Sequence, residues 1–255
     1  DKSDDNFIIY DCLDDDPVFD PYEELMLSKA NLVLAVSQKL MDKFRDKHPN
    51  LLLLPCGVDT EHYLAKGQPV PPEMQEIRAR TDVILGFSGA FFQGWVDIGL
   101  LYKVAESRPN WQLVIVGNSY GWDFSGAPAN ISYLGTRPYQ VLPSYVRCFD
   151  VGLVPFQDNR IARGAGPVKI YEYLAAGLPV ISRRLPFVEG LNPPLVYAYD
   201  TVEDCISAIE SALADEKDHG ETARKLRADF VANCTWDCRM DLLFAEIRKL
   251  TSLEI

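Results

Sequence analysis

Lys169 and Glu172 stand three positions apart, behind the run Gly164-Ala165-Gly166-Pro167-Val168 and ahead of Gly177-Leu178-Pro179. Glycines let a backbone approach closely, Pro167 suits a first helical position, and Gly177 with Pro179 supplies a C-terminal stop. The spacing therefore predicts a short helix over Val168–Ala176 with an open, glycine-lined N-terminus. Such an end presents unpaired N–H groups and the positive pole of the helix dipole, which can hold a diphosphate without a metal. A cation in the first turn opposes the dipole unless an anion sits there too. Glu172 shares the helical face of Lys169 and can accept from two vicinal ribose hydroxyls, so the pair spans phosphate to ribose. An ordinary short helix with a surface Lys–Glu pair satisfies the same spacing.

Further candidates are scattered. Arg160 and Arg163 flank the glycine-rich loop and are the nearest extra cations for a phosphate, although loop arginines are commonly just solvated. Trp95, Tyr120 and Trp122 fall near strand ends, where aromatic faces suit sugar C–H surfaces and equally suit core or rim packing. His48, His62 and His219 lie in polar surroundings, and none stands out as a base. The six cysteines include no Cys-x-x-Cys pair, and Cys234 and Cys238, one helical turn apart, have no second Cys/His pair at zinc spacing. Reduced, buried thiols in a cytoplasmic protein are the expectation.

The elements that must position these groups read as alternating strands and helices, the pattern of a parallel α/β sheet with helices on both faces. Nearly uniform apolar runs mark buried strands at Phe7–Tyr10, Leu32–Val36, Leu51–Leu54, Val83–Phe87, Gln112–Val116, Ile131–Tyr133, Val151–Val154, Val180–Ile181 and Leu195–Tyr197. Helices are expected at Tyr22–Ala30, Gln38–Lys47, Gly99–Arg108, Leu142–Cys148, Val168–Ala176, Val202–Ala214, Gly220–Ala232 and Asp237–Leu250. The Gly- and Pro-rich stretch around Lys66-Gly67-Gln68-Pro69-Val70-Pro71-Pro72 breaks the alternation. It divides the chain into a first α/β lobe over 1–58, a hinge and linker over 59–80, a main domain over 81–232 and a closing helix over 233–255. Three strands are too few for a complete first lobe. A chain starting at Asp1 is thus expected to be the later part of a larger parent, able to bind a ligand but not to complete a two-lobed active site.

A net charge of −12 excludes a nucleic-acid backbone as partner. The charge is unevenly spread: Val83 to Asp200 holds nine basic and eight acidic side chains, so a near-neutral middle could receive an anionic small ligand that the flanks repel. No apolar run approaches the length of a membrane span.

The run Pro167-Val168-Lys169-Ile170-Tyr171-Glu172-Tyr173-Leu174-Ala175-Ala176-Gly177-Leu178-Pro179-Val180 resembles the signature of glycosyltransferase family 4 and its close relatives, in which a helix bearing a Glu grips the donor ribose. Ser88-Gly89-Ala90 and the turn closing Trp111-Gln112-Leu113-Val114-Ile115-Val116-Gly117 resemble that family's two glycine turns. Tyr133-Leu134-Gly135-Thr136-Arg137-Pro138-Tyr139 and Phe149-Asp150-Val151-Gly152-Leu153-Val154-Pro155-Phe156 follow in the same order. Upstream, Ala30–Ser37 and Leu54-Pro55-Cys56-Gly57-Val58-Asp59 resemble the end of the acceptor domain and the interdomain hinge. The resemblance implies a GT-B fold, with Gly89, Gly117, Arg163, Gly164, Gly166, Pro167, Val168, Lys169 and Glu172 around the donor, and Arg137 and Tyr139 in a loop beside the nucleotide base. Two departures stand out. The family often has a second glutamate eight positions before the ribose-binding one, where this chain has Gly164, and it tends to place a basic residue after the first glycine turn, where this chain reads Phe91-Phe92-Gln93-Gly94-Trp95.

The implied reaction is sugar transfer from a nucleoside diphosphate sugar to a hydroxyl of a glycan, lipid-linked or other acceptor, with retention at the anomeric carbon and no metal or other cofactor. Lys169 and Glu172 would carry it. Polysaccharide assembly, peripheral membrane association and a homodimer are compatible settings. Asp11, Asp14, Asp15 and Asp16 could instead hold a metal on a diphosphate as in a GT-A enzyme, but no nucleotide-binding unit precedes them, and the resemblance implies that Asp11 to Asp16 lie at the acceptor-side edge of the cleft. A non-catalytic nucleotide-sugar-binding protein and a Rossmann dinucleotide-binding oxidoreductase are the rival readings, the latter without a Gly-x-Gly-x-x-Gly run.

Overall fold

The computed structural model describes residues 6–64 and 67–251; Lys66 of the expected linker lies outside them. The first lobe alternates β1 (Ile9–Cys12), α1 (Asp20–Lys29), β2 (Leu32–Ala35), α2 (Gln38–Phe44) and β3 (Leu51–Leu53), and its strands pair in parallel in the order β1-β2-β3. β2 is central and buried throughout, as its apolar run requires. Two helices then occupy the stretch read as hinge and linker, α3 (Thr60–Leu64) and α4 (Pro72–Arg78). The prolines that read as a break start α4, because Pro72 fills a first-turn position where no N–H is needed. Met74 and Ile77, three apart, then bury one face of the helix.

The second lobe runs β4 (Val83–Ser88), α5 (Ile98–Ser107), β5 (Trp111–Val116), β6 (Ile131–Gly135), α6 (Leu142–Val146), β7 (Val151–Val154), α7 (Arg160–Gly164), α8 (Val168–Ala175), β8 (Val180–Arg183), β9 (Val196–Tyr199) and α9 (Val202–Val231). Its six strands are all parallel in the order β6-β5-β4-β7-β8-β9. The sequence order therefore reverses between β4 and β7, and the loops leaving these two neighbours diverge, opening a crevice where open α/β sheets bind ligands. The two helices expected at Val202–Ala214 and Gly220–Ala232 form one element, interrupted only by non-helical angles at His219; the polar run read as a break stays helical on both sides of that kink. Arg227 of α9 is fully buried and donates to the carbonyls of Pro194 and Gly177 and to Glu216. The final helix α10 (Trp236–Thr251) returns to the first lobe, packing Leu243 with Leu32 and Leu34, and Met240 and Ile247 beside them. None of the helices among the described residues is long and apolar enough to cross a membrane.

The lobes are fastened by a contact that local sequence could not show. Arg160, at the start of α7, reaches Asp15 at 2.9 Å and Asp20 at 2.5 Å, while Lys43 and Lys39 approach Asp15 at 2.9 and 3.5 Å. Ser37 donates to the Gly164 carbonyl at 2.7 Å. Burial raises the Asp15 carboxyl, but hydrogen bonds from Arg160 and Lys43 outweigh it and hold the group down at about 2. A carboxylate depressed below its unfolded value contributes stability above that value and loses it as pH falls through the folded one. Asp15→Asn is expected to cost about 2 kcal/mol at neutral pH, below the range for a fully buried pair because the cations stay partly hydrated. The gap between variant and parent in urea melts should shrink as pH falls from about 4 toward 2.

Candidate functional site

A cleft of about 490 Å³ lies between the lobes at the β4/β7 crevice. Its first-lobe wall is made by Leu13, Asp14, Val36 and Cys56, and its floor by Ala165, Gly166, Pro167, Val168 and Lys169 at the start of α8. Phe92, Trp95, Tyr120 and Phe156 line the second-lobe wall.

The floor is held in place from below. The Tyr173 hydroxyl accepts from the Ser88 backbone N–H at 2.8 Å, tying α8 to the end of β4. Ile170, Leu174 and Ala175 are buried in the core, so the amphipathic face of α8 is fixed to the sheet. Pro167 is the N-cap, one position earlier than the expected first helical residue, and it supplies no side-chain hydrogen bond to the helix end. The N-terminal N–H groups of α8 thus lack the Ser, Thr, Asp or Asn cap that usually satisfies one of them.

Gly89, with φ +136°, turns directly beneath Lys169, and a Cβ on Gly89 would collide with the lysine Cε and Nζ. Gly117, with φ +145°, sits against the Gly89 carbonyl. The two glycine turns therefore form one layer whose shape only unbranched backbone allows, and Lys169 lies across it. Lys169 has no ion-pair partner among the described residues. Desolvation holds its ammonium below the ordinary lysine range, while Glu172 and Cys56 pull the other way.

Glu172, one turn further, faces α3. The Tyr63 hydroxyl is buried with no hydrogen-bond partner among the described residues. Burial, then the charge of Glu172, push this phenol well up, so it approaches the carboxylate without meeting hydrogen-bond geometry. His62 stacks on Tyr139 with centroids 4.2 Å apart and donates from Nε2 to the Tyr139 carbonyl at 2.9 Å. One face of Tyr139 is thereby taken, and the ring is about half exposed. Arg137 turns away to Glu73 and the Tyr145 hydroxyl at 3.0 and 2.7 Å.

Gly89, Gly117, Gly166, Pro167, Val168, Lys169 and Glu172 are brought together in or beneath the cleft. Arg163 is not: it forms an exposed two-pronged pair with Asp158 and borders a separate cavity near β9. Gly164 packs on Asp15 of the first lobe rather than on the cleft. Arg160 is engaged by Asp15 and Asp20, and Trp122 packs on the core with its indole N–H on the Tyr102 hydroxyl. Asp15 and Asp16 are committed to the ion network and to capping Val18. Among the described residues no three His, Cys, Asp or Glu side chains are arranged to hold a metal. Phe156, His62 and Tyr63 were missed by sequence reasoning. Asp59 accepts from the His62 N–H at 2.9 Å, the N-cap signal that could have announced α3.

A family model described as glycosyl transferase-like matches residues 99–245. TuaH of Bacillus subtilis (strain 168), described as a glycosyltransferase of teichuronic acid biosynthesis, is 28% identical over 206 residues, which are 78% of this chain and 50% of TuaH. The chain spans about half the length of the curated relative it matches. Among solved structures, Anabaena Alr3699/HepE in complex with UDP and glucose aligns with a TM-score of 0.72 at 16% identity, over 97% of this chain and 72% of that one. Sucrose-phosphate synthase from Thermosynechococcus elongatus gives 0.71 at 20%, over 93% and 62%. These likenesses show the GT-B fold.

Proposed function

Because the chain belongs to the glycosyl transferase-like family, we propose that it carries the donor site of an enzyme moving a sugar from a nucleoside diphosphate sugar to an acceptor hydroxyl. The observation that carries this reading is Lys169, desolvated and without an ion-pair partner among the described residues, lying over the Gly89 turn at the uncapped start of α8. In this reading the helix N–H groups and Lys169 hold the diphosphate and steady its charge as it departs. Glu172 accepts from the ribose hydroxyls, and the main chain of the Gly135–Tyr139 loop meets the base. Transfer proceeds with retention and without a metal, the cation of Lys169 standing where a metal would otherwise neutralise phosphate. Uridine is the first base to try, since HepE has been solved with UDP and with UDP-glucose. A glycan or lipid-linked acceptor in polysaccharide assembly fits the description of TuaH.

The deciding experiment is a thermal-shift panel of UDP, GDP and ADP with their sugars, because a ligand that binds only the native state raises its melting temperature. One nucleoside diphosphate should shift the protein and its nucleoside should not. Equal shifts for nucleoside and diphosphate, or none for any, would sink the reading. Within it, Glu172→Gln is expected to weaken nucleotide binding by about tenfold, as for loss of a charge-assisted hydrogen bond. A 2′,3′-dideoxy nucleotide should bind parent and variant alike.

The absence of a carboxylate at Gly164 and of a basic residue after Gly89 favours a second reading, a nucleotide-sugar-binding protein without turnover. Slow hydrolysis of a bound donor in the absence of acceptor would speak against it.

A further inference from the structure

Glu172 has a neighbour that the donor reading leaves without a task. Tyr63 stands on α3, the short helix that follows the bridge from Val58 to Thr235 at the hinge, and α3 packs directly on α8. The ring is buried in the main core, which also holds Ile170, Tyr173 and Leu174 of α8. His62 meets it edge-on at 5.3 Å and stacks in turn on Tyr139, so three rings in succession join the surroundings of Glu172 to the Gly135–Tyr139 loop. The Tyr63 hydroxyl is buried without a hydrogen-bond partner among the described residues. After burial itself, Glu172 is the strongest influence on this phenol. An unpaired buried hydroxyl is a cost to the fold, and one so deep is met only by groups already inside. The last torsion of a glutamate is broad, so α8 alone does not set the plane of the Glu172 carboxylate. Two vicinal ribose hydroxyls need that plane fixed, and a carboxylate has lone pairs to spare for a third donor.

We propose that Tyr63 is a positioning residue for Glu172: when the ribose hydroxyls bind, the carboxylate turns until it also accepts from the Tyr63 hydroxyl, which fixes its plane. This role rests on the donor reading above. The hydroxyl destabilises the empty protein and stabilises the filled one. Tyr63 acts through Glu172 and is assigned no contact with sugar or phosphate. It comes from the linker rather than from either lobe, so the ribose site is completed by the segment that joins them.

The test is a double-mutant cycle on binding of UDP, read by calorimetry, with GDP and ADP taken in its place where UDP does not bind. Tyr63→Phe keeps the buried ring and removes only the oxygen. It should lower affinity for the nucleoside diphosphate about fivefold, while the ligand-free protein melts at the same temperature or higher. The loss should largely disappear in a Glu172→Gln background and with the 2′,3′-dideoxy nucleotide, a dependence that a merely structural role would not produce. Unchanged affinity, an equal loss for the ribo and dideoxy forms, a loss that adds to that of Glu172→Gln, or a Tyr63→Phe protein that melts lower or fails to fold overturns the positioning role and leaves the donor reading standing. Failure of all three diphosphates to bind the parent removes both.

Discussion

Lys169→Ala should lower affinity for the nucleoside diphosphate by about a hundredfold, the upper range for charged hydrogen bonds at a desolvated site, and leave nucleoside affinity nearly unchanged. The same substitution should not lower the melting temperature of the ligand-free protein. An ammonium held among apolar groups with no ion-pair partner is a cost to the fold, consistent with its depressed proton affinity, and removing it relieves that cost. Weaker binding together with equal or greater stability is the signature of a residue kept for a ligand. Calorimetry with the diphosphate and the nucleoside, alongside thermal melts, reads both quantities. A variant that loses stability and affinity for both ligands together would show that Lys169 is structural. The pH dependence follows from the same displacement. Affinity should be greatest while the ammonium is protonated and fade as pH rises through a value below the ordinary lysine range, and a bound diphosphate should move that fade upward.

Gly164→Glu should destabilise the protein by about 4 kcal/mol, as overpacking and a broken ion network combine. A Cβ at this position would stand 2.5 Å from the Asp15 Cβ and 3.3 Å from the Asp15 backbone nitrogen. Neither atom is the free end of a flexible chain. The added carboxylate would also enter beside Asp15, whose charge Arg160, Lys39 and Lys43 already share. The Ser37 hydrogen bond to the Gly164 carbonyl would be strained at the same time. Denaturant melts should show the loss, and nucleotide binding measured well below the melting temperature should survive, since Lys169 and Glu172 stay on α8. A Gly164→Glu protein as stable as the parent would mean that the lobes do not meet in solution as they do here.

This position shows where sequence reading succeeds and where it stops. The strands were legible because a strand buried on both faces must be apolar along its length, as β2 and β7 are. Helix α8 was legible because Pro167 and Gly177 bracket it within one local stretch. Gly164 was legible only as a missing carboxylate, since its reason is Asp15, far away in the chain and in the other lobe. Arg163 looked like a phosphate ligand, but Asp158, five residues earlier, was there to take it. Helix α4 hid behind prolines that start helices as readily as they end them. The Tyr63 and Tyr139 surroundings of Glu172 depend on how α3 folds over α8, a matter of tertiary packing that no local spacing encodes.

The buried Arg227 adds a long-range consequence. Its guanidinium donates to the Gly177 carbonyl, just past the C-terminal end of α8, and is paired with Glu216, so a buried ion pair with its cation foremost stands at the negative pole of the helix whose positive pole faces the cleft. Eight residues make a helix of about 12 Å, short enough for its two poles to influence one another. The Arg227 donor satisfies a carbonyl at the negative pole while Glu216 cancels most of its net charge, so the support given to the dipole is that of a local hydrogen bond. The end of α8 opposite the cleft is thereby anchored by a side chain of α9, far along the chain from the helix it holds.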